Sequence, residues 1–380
     1  MAAPAGATHV VKPTVQAAQV AWSGTQEWPL NLLCVCDMDE EINTGAQSFV
    51  AGLAADLSDL EITDAADNPI PWRRAEGGLF SQEPGHEKLW VRVRDDLSGD
   101  SNTEFRAYRG CTAPTGEDDG SGVVGAATSA YYPMEGAGTL EDWANDLELS
   151  RNGYSEITGK VGKAQLFDGN DYGRHADDAL FDLAWPITVS LWVKFTTTAN
   201  RIILEKDQND GYSVQVWQGK LHCNFGGSSA AWLRTASLWN DDAWHNVVFV
   251  ARGVNNGEVY VDGADDLGNE DPKTPSYASG PFDLGGRGTN YGHIGDIDEV
   301  MLIDGYGWSA DEAATYYNMT SEPASWCVCG TEEALVSISP PIGCVGPAVR
   351  LGPRASGRAE RLGPRADGPA TRLGPRSEPS

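Results

Sequence analysis

Carboxylates spaced along one segment are the first groups in this sequence that could do chemistry. In Gly295-Asp296-Ile297-Asp298-Glu299-Val300, strand alternation puts Asp296 and Asp298 on one face and Glu299 on the other. Retaining glycoside hydrolysis needs two carboxyl groups roughly 5 Å apart with distinct pKa values. The next position on the Asp296–Asp298 face is Val300, so the segment offers no complete set. There is no nucleophile elbow, no His-Glu-x-x-His and no phosphate-binding glycine loop. The sequence therefore reads as non-enzymatic, with a polysaccharide hydrolase as the disfavoured alternative. Seven cysteines include two Cys-x-Cys pairs, Cys34/Cys36 and Cys327/Cys329. Zinc sites ordinarily use Cys-x-x-Cys, so buried reduced thiols are the expectation.

Binding chemistry is better supplied. A sugar site pairs an aromatic platform with polar loop groups. Trp232, Trp239 and Tyr291 are the candidate platforms, with Asn209 and Asn290 in loop-like sequence nearby. Against each stands a plain role in the core, which Trp185, Trp192 and Trp244 fit, since they lie in or beside strand-like runs. A third pattern lies further on. Arg350-Leu351-Gly352-Pro353-Arg354 recurs after 11 residues at Arg361–Arg365 and again at Arg372–Arg376. Gly-Pro in each copy excludes a continuous helix, and one leucine per repeat makes no core. The evenly spaced Arg350, Arg354, Arg361, Arg365, Arg372 and Arg376 suit docking onto an acidic or repetitive surface; a solvated tail is the alternative.

The charge distribution fits that idea. Of 380 residues, 55 are acidic and 27 basic, a net of −28. From Val336 onward there are 7 arginines and 3 acids, a net of +4; the body keeps 20 basic and 52 acidic residues, a net of −32. Such a body repels nucleic acid and anionic membranes. No run approaches the 18 apolar residues of a membrane span, and Met1–Gly6 does not open a Sec-type leader.

The elements that must position these groups are strands. Forty-four glycines between short apolar runs point to all-β structure with tight turns. Residues 1–27 read as an N-terminal arm. Within 28–115, the segments 30–36, 60–64, 88–93 and 104–108 alternate or run apolar and predict a small antiparallel β-sandwich. A polar linker occupies 116–130. Ile187, Val189, Leu191, Val193 and Phe195 share one face of a strand; 212–217 and 220–225 form a hairpin about Gln218-Gly219; 258–261 and 297–303 follow. Ser309-x-x-Glu312 is a capping box that opens a helix from Ala310 to about Tyr317.

Six pieces in order carry a family resemblance: Leu166-Phe167-Asp168-Gly169, the strand 187–195, Trp244-His245-Asn246-Val247-Val248, Val259-Tyr260-Val261-Asp262-Gly263, Gly295–Val300 and Trp308–Glu312. Together they resemble the laminin-G/pentraxin branch of concanavalin A-like lectins over about 131–319. The resemblance implies a two-sheet jelly roll over 131–335 that binds glycans or proteins, often with Ca²⁺. It also implies an acidic residue near the start of the module and another near Gly-x-Ile-Asp as metal ligands, here Asp142 and Asp298. The hydrolases of this fold carry acids at i, i+2 and i+4 of one strand, a pattern that Val300 interrupts. It implies a core place for Trp244, and so a structural His245. The stretch 28–115, through Asp59–Asp64, Asn68–Pro71, Leu89–Val93 and Phe105–Gly110, resembles a bacterial domain of unknown function that often precedes laminin-G modules. The expected whole is thus an arm, a small sandwich, a jelly-roll sandwich and the 336–380 tail. Extracellular-type modules without a leader fit a phage virion component, a decoration or fibre protein held to a capsid, a tail or other copies of itself. A secreted or surface adhesin is the alternative.

Overall fold

The computed structural model describes residues 3–21, 57–74, 88–92, 101–114, 127–206, 211–226, 232–286 and 291–335, with the short pieces 25–26, 33–37, 53, 97–99 and 124. These lie in one compact unit, Met1–Val336. The second unit, Ser337–Ser380, carries the six candidate docking arginines and lies outside the described residues.

Two 8-stranded antiparallel sheets make the jelly roll. One runs Ser155–Thr158, Lys163–Asp168, Ile294–Asp304, Ile187–Lys194, His245–Gly253, Asn256–Val261, Ala264–Asp265, with Thr128–Tyr132 also paired to Ile294–Asp304. The other runs Ser150–Asn152, Tyr172–His175, Phe282–Leu284, Arg201–Lys206, Tyr212–Trp217, Lys220–Phe225, Trp232–Thr235, Leu267–Glu270. The alternating stripe Ile187, Val189, Leu191, Val193 and Phe195 enters the core between them, with Val214, Val216, Leu221, Cys223 and Leu233.

The first sheet is covered on its other face too. Val248, Val250, Met301 and Ile303 join a second core with Trp72, Trp90, Trp308, Tyr316 and Trp326. An antiparallel sheet commonly leaves one face to water; here two-sided burial explains why Ile187–Val193 is buried residue after residue. Helix Ala310–Ser321 forms part of that cover. Ser309 Oγ accepts from the Glu312 amide at 3.3 Å, and Glu312 Oε2 accepts from the Ser309 amide at 2.6 Å, the expected capping box.

The rest of the cover comes from the N-terminal part. Glu61–Asp64 pairs with Thr103–Arg109, and Lys88–Arg92 lies between Leu33–Asp37 and Trp72–Arg74. Residues 9–15, read from sequence as part of an arm, are strands. His9–Val11 and Pro13–Val15 pair with successive halves of Thr103–Arg109, and Glu333–Ala334 and Cys327–Cys329 close the outer edges. His9 stands opposite Ala334. Val10, Val11 and Val15 are buried, which is the physical reason these short segments order. Cys327 and Cys329 are buried with exposed Val328 between them, the same-face placement that Cys-x-Cys implies on a strand. Leu33–Asp37, which carries the other pair, is a neighbour of this strand.

One local expectation is corrected. Asp298 and Glu299 were assigned to opposite faces by alternation. Ser190 pairs with Met301 and Trp192 with Asp298, so Ile294–Asp304 bulges there, and Glu299 takes φ +52°. Ile297 and Val300 both enter the inter-sheet core, and both acids turn the other way. Asp298 Oδ2 accepts from the Val161 amide, and Glu299 accepts from the Tyr131 hydroxyl; Val161 and Tyr131 belong to the second core.

Candidate saccharide-binding face

The hairpin Tyr212–Trp217/Lys220–Phe225 turns through Gln218 and Gly219, both at positive φ. Gly219 at φ +77° holds a backbone conformation that a side chain would strain, and an added Cβ would also displace the Asn240 amide. Register then fixes the outward rows. Trp217 lies opposite Lys220; Gln215, His222 and Arg234 align; Ser213, Asn224 and Trp232 align. The intervening Val214, Val216, Leu221, Cys223 and Leu233 point into the core, so every residue in those rows faces outward.

His222 is at the centre. Its ring lies 5.6 Å from Trp217 and 4.9 Å, edge-on, from Trp232, and the two indoles are 6.3 Å apart at 36°. Trp217 is 43% exposed and His222 only 2%. Burial, with help from Arg234 and Lys220, lowers the His222 pKa to about 4, so the ring is neutral at pH 7. His222 Nδ1, Asn224 Oδ1 and Arg234 Nε are buried without a hydrogen-bond partner. Buried polar atoms are normally satisfied, so these three, on the face that carries an exposed and a half-buried indole, are groups that a polar ligand could satisfy.

Of the candidate sugar residues among the described ones, the structure brings Trp232 to this face. The Trp239 indole packs against His245 at 4.6 Å and donates to Asp266 at 2.8 Å. Tyr291 is exposed elsewhere, with its carbonyl accepting from the Ile202 amide at 2.7 Å. Asn209 and Asn290 lie outside the described residues. Trp217, His222, Gln215, Asn224 and Arg234 escaped the sequence reading, although strict alternation through the 212–225 hairpin was the signal for four of them.

The carboxylates weighed for metal or catalysis are engaged otherwise. Both Asp142 oxygens accept backbone amides, from Tyr131 (2.7 Å), Ala144 (3.0 Å), Asn145 (2.9 Å) and Leu147 (3.1 Å). A carboxylate offers about four acceptor positions, so Asp142 has none left for a cation. Asp298 Oδ2 accepts from the Lys160 and Val161 amides at 2.8 and 3.0 Å. Asp142, so saturated, does not fit a calcium site, and among the described residues no group of three or more metal-ligating side chains gathers. Asp296 lies 3.3 Å from the Lys194 ammonium. His245 sits between Asp262 and Asp241 at 2.8 and 3.1 Å, in the structural role expected. Among the described residues no helix is long and apolar enough to cross a membrane.

Fold and outward face together define an all-β sandwich of the lectin type. Residues 167–312 match the laminin-G family model described as the concanavalin A-like lectin/glucanases superfamily. Solved structures similar to the chain include the binding domain of Paraclostridial Mosquitocidal Protein 1, at 12% identity and TM-score 0.43, over 50% of this chain and 52% of that one. Domain 4 of AbnA, a GH43 extracellular arabinanase from Geobacillus stearothermophilus in complex with arabinotriose, gives 24% identity and TM-score 0.40, over 49% of this chain and 96% of that one. The binding domain of Botulinum Neurotoxin DC in complex with SialylT gives 9% and 0.41, over 51% and 52%. The chain spans about half the length of the two toxin domains. No curated protein matches it.

Proposed function

We propose that this protein is a non-catalytic binding protein and that the outer face of Tyr212–Trp217, Lys220–Phe225 and Trp232–Thr235 holds a saccharide. The observation that carries the reading is the buried His222 packed against both the Trp217 and Trp232 indoles, with His222 Nδ1 and Asn224 Oδ1 left unpartnered on the same face. Indole faces cover the apolar side of a sugar ring, while the buried atoms meet its hydroxyls. A glycan array followed by isothermal titration tests it. Trp217→Ala is expected to weaken binding about tenfold or more, equivalent to ~1.4 kcal/mol. Unchanged affinity in that variant, or a wild-type protein that binds no saccharide, overturns the reading.

At the level of the whole chain, the reading is a virion component carrying this lectin-like module outward. Its support is the charge contrast between a −32 body and a +4 arginine-repeat tail, which suits docking on a capsid, a tail or other copies of itself. Mass spectrometry of purified virions tests it; recovery only from cell envelopes favours a surface adhesin.

A further inference from the structure

The charged groups that flank His222 on the sugar face are Lys220 and Arg234, both basic, in a chain where acids outnumber bases 55 to 27. Five other arginines have carboxylates of their own: Arg73 with Glu141, Arg106 with Asp67, Arg109 with Glu332, Arg174 with Asp283 and Arg252 with Glu258; among the described residues Arg151 donates to carbonyls instead, and Arg201, away from the indole pair, shares the lack of a carboxylate. Arg234 forms no such pair among the described residues, and its Nε is buried without a partner. Lys220 donates to the Ala236 carbonyl, which leaves its charge unneutralised. Asn269, opposite Arg234 on the next strand, is neutral and donates to the Trp232 carbonyl at 3.0 Å. Burial chiefly lowers the His222 pKa, and the neighbouring Arg234 and Lys220 charges lower it further.

A partly buried guanidinium without a counter-ion, beside an indole pair and in an otherwise acidic protein, is a receptor for an anion carried on the ligand. Its planar fork matches the two oxygens of a carboxylate or a sulfate. We propose that the saccharide is an acidic one, a uronic acid or sulfated sugar whose anionic group pairs with Arg234 while its ring rests on Trp217 and Trp232. This rests on the saccharide reading above. His222 Nδ1 and Asn224 Oδ1 then meet ring hydroxyls, and Lys220 adds attraction without a fixed geometry.

The test uses three probes on the full chain: an oligouronate, the same oligomer after reduction of its carboxyls to alcohols, and a sulfated neutral oligosaccharide. Titration is carried out on wild type, Arg234→Gln and Trp217→Ala, with circular dichroism confirming that each variant folds. The expected result is tenfold or tighter binding of at least one anionic probe over the reduced oligomer. Arg234→Gln abolishes that preference, so that the anionic probes bind it no more tightly than the reduced oligomer does, whereas Trp217→Ala lowers affinity for all probes. Preference for the uronate or for the sulfate identifies the source of the anion. Equal binding of charged and reduced probes, or an Arg234→Gln variant that loses both in proportion, overturns the acidic preference and leaves the saccharide reading intact. Binding of none of the probes overturns this proposal; an empty neutral-glycan array as well overturns the saccharide reading.

Discussion

Asp142 shows how a single side chain can be read as one thing and serve another. Its four amide hydrogen bonds hold the 142–147 loop together and tie it to Tyr131, near the end of Thr128–Tyr132. Removing the carboxylate leaves buried N–H groups unpaired, so Asp142→Ala is expected to cost about 3 kcal/mol in urea unfolding. Chelation of calcium is expected to leave the wild-type midpoint unmoved in the same assay. At this scale the sequence was half legible. Trp232, singled out because an aromatic beside polar loop residues is a visible pattern, does lie on the outward face. Trp239 was not distinguishable from it, because its ring is claimed by His245 and Asp266, both brought in by folding. Arg234 carried no local mark, since the role proposed for it rests on its having no carboxylate partner among the described residues.

Among the elements, the strands with strict alternation and the Ser309–Glu312 cap were legible because each depends on neighbours a few positions away. Ser309→Ala removes one half of the box while the helix keeps its packing against the sheet. A loss of about 1 kcal/mol is expected, read as a small fall in the thermal midpoint with unchanged cooperativity. The bulge at Glu299 was illegible: one extra residue opposite Leu191 turns Glu299 onto the face of Asp298, and no glycine or proline announces it. The strands at 9–15 were illegible for another reason. Three-residue segments have too little periodicity to register, and their stability comes from Thr103–Arg109 and from residues more than 300 positions away.

For the molecule as a whole, two buried histidines set an acid response. His222 is lowered to about 4 and His293 to about 3, each chiefly by burial. The unfolded chain binds their protons near 6.5, so between there and pH 4 it holds more protons than the folded state. Their contribution to stability is therefore full above about pH 6.5 and falls as the solution is acidified. His245 acts in the opposite sense: its pKa is raised by Asp262 and Asp241 against desolvation, so its share is present at low pH and lost as pH rises through that raised value. With two groups against one, the urea midpoint is expected to fall from pH 7 to pH 4.5, and His293→Gln is expected to show a shallower slope. The pairing of His9 with Ala334 has a mechanical side. Antiparallel neighbours whose outer ends emerge together are opened by tension one rung at a time, as a zip is, whereas a strand pair dragged lengthwise resists with all its rungs at once. Pulled from before residue 9 and beyond residue 334, this body would peel at its terminal seam first, leaving the strands that bear Trp217 and Trp232 the last to feel the load.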